Sequence, residues 1–143
     1  MTEVAFHFNA PDPVAYTCRL LRKAVSSGAK LVVVGSPDTL QQLDVGLWTF
    51  SATDFVPHCY IDSDPNILAT SPVVLATTTA SVPHQQVLIN LGHSVPDGFE
   101  LFERVIEVVG LGDDDRQLAR SRWKSYTDCG YTITRHDLNL KST

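Results

Sequence analysis

In the run DDDRQLARSRWKSYTDC, residues 113–129, the side chains able to grip a ligand are cations and one indole. Wound as a helix at about 100° per residue, Arg116, Arg120 and Trp123 fall within roughly 60° of one another, with Lys124 at the margin. Such a face suits an anion: guanidinium and ammonium groups donate charge-assisted hydrogen bonds to carboxylate or phosphate oxygens. Trp123 is expected to be exposed among these cations, and an exposed indole has a hydrophobic cost usually explained by a partner. The opposite side carries Leu118, Ala119, Tyr126 and Cys129, spread over roughly 100°, the width of a face that packs on a core. Arg122 falls within that apolar sector, where it is expected to snorkel its guanidinium out to water. Asp113 to Asp115 open the helix and suit the positive end of its dipole.

The rest of the 143-residue chain narrows the ligand. Its formal charge of −5 argues against binding nucleic acid in bulk, which goes with a basic balance. Yet four of the eleven Lys and Arg residues lie between 116 and 124, so the positive patch is local and fits an anionic ligand of limited size. Length and an ordinary globular composition predict a single domain over 1–143. Cys18, Cys59 and Cys129 are odd in number and lack C-x-x-C spacing, which predicts reduced thiols in a cytoplasmic protein. No secretion signal and no membrane-spanning apolar run can be read in the sequence.

Other chemistries find no footing. The loops at Asn9–Pro13 and Gly35–Asp38 match neither G-x-G-x-x-G nor G-x-x-x-x-G-K-[ST], and two prolines remove backbone donors from the first. His7, His58, His84, His93 and His136 never adopt H-x-x-x-H spacing, and no serine sits in G-x-S-x-G. We therefore expect no catalytic residue, no metal and no cofactor. A second cluster, LWTFSATDFVPH at 47–58, gathers Trp48, Phe50 and Phe55, as a core or as the centre of a protein contact. The residues alone leave open a small α/β nucleotide- or nucleic-acid-binding enzyme domain that uses the helix at 113–129 for phosphate.

These side chains must be positioned by an α/β framework. The spacing predicts a strand at Val4–Phe8, a helix from Pro13, a doubly buried strand at Lys30–Val34 and a helix capped by Ser36. Residues 49–86 read as less regular, with Val73–Ala76 and Val87–Leu91 as further strands. Phe99, Phe102, Val105, Ile106 and Val109 fit the stripe of an amphipathic helix, and Tyr131–His136 alternates like a final strand.

With LW at 47–48, DFVPH at 54–58, VLINL at 87–91, F-x-R-V-I-E-V-V at 102–109 and QLARSRWKSY…GY at 117–131, the chain resembles the chi subunit family of bacterial DNA polymerase III over nearly its whole length. The resemblance implies a three-layer α/β fold with a mostly parallel central sheet and helices on both faces. That fold is Rossmann-like but has no nucleotide site. It also implies a non-catalytic adaptor of the clamp-loader assembly that touches DNA only indirectly and has no membrane association. Its first partner would be the acidic C-terminal tail of single-stranded DNA-binding protein, bound by Arg116, Arg120, Trp123 and Lys124. Many relatives carry Tyr at the position of Trp123. Its second partner would be the psi subunit, bound by Trp48, Phe55, Val56 and Pro57.

Overall fold

The structure, a computed structural model, describes residues 2–49, 56–80 and 82–138. Seven strands form one sheet: β1 (Glu3–Ala10), β2 (Leu31–Val34), β3 (His58–Tyr60), β4 (Val73–Ala76), β5 (Val87–Asn90), β6 (Arg104–Gly110) and β7 (Ile133–Asp137). They lie in the order β3-β4-β2-β5-β6-β1-β7, and every pairing among the described residues is parallel. The described residues also form four α-helices: α1 (Pro13–Ser26), α2 (Pro37–Thr49), α3 (Pro65–Thr70) and α4 (Asp113–Asp128).

Alternation along the strands builds two cores. Leu31 and Val33 face one side with Leu75, Ile89 and Ile106, where α1 contributes Leu21 and α2 contributes Leu40, Leu43 and Leu47. Val32 and Val34 face the other with Val74, Leu88 and Val105, where α4 contributes Ala119 and Tyr126. Both faces are covered, so the central strands read LVVV and VVLA with no polar residue at all. Asp12 caps α1 by accepting from the Ala15 amide at 3.1 Å, and the Thr39 amide donates to Ser36 Oγ at 3.2 Å at the start of α2.

Two sequence expectations are corrected here. The segment proposed as an amphipathic helix at 99–109 is a short 3-10 turn, Phe99–Leu101, followed by β6. A strand buried on both faces carries apolar residues on both, and their spacing can coincide with a helical stripe. The less regular stretch also contains elements, the three-residue β3 and the six-residue α3, each too short to leave a periodic signal.

The three thiols have different surroundings. Cys18 and Cys59 are buried, whereas Cys129 is exposed at the end of α4. Burial pushes the Cys18 thiol up to about 11, with the nearby Asp12 charge acting in the same direction. Only the thiolate is nucleophilic, so a maleimide or disulfide reagent at pH 8 should label one thiol of the native protein quickly. Mass spectrometry should place that label on Cys129, with Cys18 and Cys59 reacting only after denaturation.

Candidate ligand groove at the carboxyl end of the sheet

β1 from Phe6 to Asn9, Val109 of β6, Arg135 of β7 and α4 from Arg116 to Trp123 line an open groove of about 560 Å³. It runs beside α4 from mid-strand, where Phe6 pairs with Arg135, toward the carboxyl ends of the strands, the end at which parallel α/β sheets commonly bind ligands. Gly110 permits the close approach of these segments. A Cβ there would come within 2.8 Å of Asp115 Oδ2 and 3.2 Å of Pro13 Cγ.

The floor is aromatic. Phe6 and Trp123 pack with ring centroids 5.0 Å apart and their planes tilted by 54°, and Tyr126 meets Phe6 edge-on at 6.0 Å. Trp123 is half-buried, not fully exposed as the sequence suggested, because the indole packs against Phe6 and the core on this side of the sheet while also lining the groove. Its N–H has no acceptor among the described residues, which leaves a donor directed to a ligand or to water.

The rim is cationic. Arg116, Arg120 and Arg135 all line the groove. Arg116 Nη2 donates to Asn9 Oδ1 at 2.8 Å, and Asn9 Nδ2 donates to Asp137 Oδ1 at 2.9 Å, so this guanidinium is held in place by a relay. Arg135 lies over the aromatic walls, its guanidinium carbon 5.5 Å from the Phe8 ring centre and 6.0 Å from that of Trp123. Arg120 is exposed and has no carboxylate partner among the described residues. Lys124 stands apart: it does not line the groove, and its ammonium reaches Asp128 at 3.4 Å one turn along α4.

Asn9 reaches the groove because β1 is irregular. Its pairing with β6 advances three residues from His7 to Ala10 against two from Val108 to Gly110, a bulge of one residue. Asn9 takes φ 64, a left-handed backbone that asparagine tolerates better than most residues. The extra residue lets Phe8 and Asn9 both line the groove beside α4, and Ala10 turns into the core beside α1.

Beneath the groove, the expectation for Arg122 fails. Its side chain is buried, and Nε donates to Glu107 Oε1 at 2.9 Å. Tyr126 donates to Glu107 Oε2 at 2.7 Å, and Asn90 Nδ2 lies 3.1 and 3.0 Å from the two oxygens. The guanidinium is thus neutralised internally. Burial pushes the Glu107 carboxyl above the usual carboxylate value, and the adjacent Arg122 and the donors from Asn90 and Tyr126 oppose that shift. Leu118 and Cys129, expected to pack, are exposed.

The second cluster lies on the other side of the sheet. Trp48 is 63% exposed and Val45, three residues earlier on α2, is 56% exposed. Pro57 is exposed, Val56 is 2% exposed inside the core beside α1 and α2, and Phe55 and Phe50 lie outside the described residues. A surface contact through the Val56 side chain is therefore not available in this conformation. Trp48 meets the His58 ring edge-on at 5.7 Å, and His58 is held by Asp44 at 2.7 Å.

Sequence reasoning missed Phe6, Phe8, Asn9 and Arg135. The one available signal was the alternation of YTITRH, which places Ile133 and Arg135 on the same face of a strand. The bulge predicts its own measurement. Asn9→Val puts a β-branched residue at positive φ and removes the Arg116 relay, so urea unfolding should show a loss of about 1–2 kcal/mol. Asn9→Gly, which relieves the backbone, should lose less.

The family described as DNA polymerase III chi subunit, HolC, matches residues 1–134. A DNA polymerase III subunit chi from Pseudomonas aeruginosa is 32% identical over 143 residues, covering 96% of this chain and 98% of that protein. One from Escherichia coli is 32% identical over 119 residues, covering 81% and 79% respectively. Among solved structures, the C-terminal domain of Saccharomyces cerevisiae Dbp5, bound to Gle1 and IP6, superposes with a TM-score of 0.61 at 11% identity. It covers 96% of this chain and 90% of that domain, a likeness of fold alone.

Proposed function

Because the chain belongs to the DNA polymerase III chi subunit family, and so serves DNA replication as a polymerase subunit, we propose that it is a non-catalytic adaptor binding the acidic C-terminal tail of single-stranded DNA-binding protein. The observation that carries this reading is the meeting of three guanidinium groups around an apolar floor of Phe6 and Trp123. An acidic peptide that ends in an apolar side chain and a free carboxylate has the complementary pattern: apolar in the centre, anionic at the edges. The last side chain packs against Trp123, and Arg120 takes the terminal carboxylate. Arg116 and Arg135 hold acidic groups from either side, and Lys124, outside the groove, contributes only long-range attraction.

The surface around Trp48 and Pro57 is assigned to a psi-like subunit linking the protein to the clamp loader. Two neighbouring apolar side chains left exposed on α2 support a protein contact there. Among the described residues no helix is long and apolar enough to cross a membrane, and we assign the protein to the cytoplasm with its polymerase.

Calorimetric titration with a short acidic peptide ending in Pro-Phe should give a Kd in the micromolar range, weakening as salt rises because the rim charges are exposed. Arg120→Ala should lose about 2 kcal/mol, roughly thirtyfold in Kd, and unchanged affinity would defeat the assignment. A phosphate site on α4 would instead raise the melting temperature with ATP, NAD or a single-stranded oligonucleotide but not with the peptide. Trp48→Ala should leave the melting temperature within a few degrees, since the indole is largely in solvent, while abolishing co-purification of the second subunit. Unfolding of that variant would mark Trp48 as a packing residue.

A further inference from the structure

Glu107 is the only fully buried carboxylate among the described residues, and the groove does not use it directly. Its partners are informative. Arg122 and Tyr126 stand four residues apart on α4, one turn of one face, and each donates to a different oxygen of the same carboxylate. Asn90 on β5 fixes that carboxylate from the sheet, and Arg122 Nη1 also reaches the His93 carbonyl at 3.3 Å.

The apolar grip on α4 is thin. Of its 16 residues only Ala119, Arg122 and Tyr126 are buried, and one of these is a methyl group and another an ion. Apolar contacts are non-directional and resist rolling of a helix weakly. A slip of one residue turns the helix by about 100°, enough to carry Arg120 and Trp123 away from Phe6. Two hydrogen bonds from points one turn apart to one anchored carboxylate leave a single roll and a single axial position.

We propose that Glu107, Arg122 and Tyr126 are positioning residues for the groove, a polar lock that sets the roll of α4 so that Arg116, Arg120 and Trp123 face the ligand. The inference rests on the groove being the peptide site. It separates two properties that usually move together. Replacing a buried ion pair by apolar groups of similar volume is often neutral or stabilising, so removing the lock leaves the fold and costs the binding.

The test is the triple variant Glu107→Leu, Arg122→Met, Tyr126→Phe, in a Trp48→Phe background that leaves Trp123 as the sole indole. Its melting temperature should equal or exceed the parent's. Its affinity for the acidic Pro-Phe peptide should fall at least tenfold, and iodide quenching of Trp123 should change as the indole leaves its cationic surroundings. A folded triple variant that binds the peptide within twofold of the parent overturns the proposal. If the triple variant does not fold, Tyr126→Phe alone, which removes one hydroxyl, decides. At least threefold weaker binding with altered quenching supports the lock, and parental values overturn it. If the parent itself binds no peptide, the assigned ligand is wrong, and the quenching comparison alone settles whether the lock sets the helix.

Discussion

A carboxylate without solvent has to be satisfied by fixed donors, and Glu107 obtains them from a strand and a helix at once. Most of the fold is held by non-directional contacts: alternating branched residues on a parallel sheet, covered on either face. Those contacts decide that α4 lies on the sheet, but not which of its sides faces up. The directional contacts at Glu107 make that choice. The arrangement of cations around Trp123 therefore depends on chemistry that the groove does not itself contain.

Local patterns made much of the architecture legible. The run LVVV between two glycines marked β2, proline and a capping residue marked the starts of α1 and α2, and VLIN marked β5. The same reasoning misread β6. RVIEVVG is apolar on both faces because helices cover both, and Glu107 within it looks like part of a polar stripe until Arg122 is seen opposite. Burial on two sides removes the alternation that distinguishes a strand. Arg122 was misplaced for a related reason, since a single charge on a packing face reads as a side chain escaping to water, and its partner lies on another element.

The groove was legible only along one helix. Arg116, Arg120 and Trp123 share a face whose spacing is local, and they do meet in space. Phe6, Phe8, Asn9 and Arg135 come from the two ends of the chain, joined because β7 returns to pair with β1. No local pattern contains that pairing. Nor does it show that Arg116 is held by Asn9 whereas Arg120 has no such tether among the described residues, a difference in preorganisation between two cations that look alike in sequence.

The bulge at Asn9 makes the rim of the groove depend on a count of residues as well as on their identities. With one residue more than regular pairing needs, β1 delivers Phe6 and Phe8 to the aromatic walls and then Asn9 to the same side. Loss of either residue between His7 and Ala10 would restore regular pairing with β6 without moving Ala10 from its place opposite Gly110. Ala10 would stay in the core beside α1, and the groove would give up either the Phe8 ring or the Asn9 amide. Substitution and deletion therefore act differently at this strand end: a substitution changes what the rim offers a ligand, whereas a deletion changes how many residues of β1 reach it.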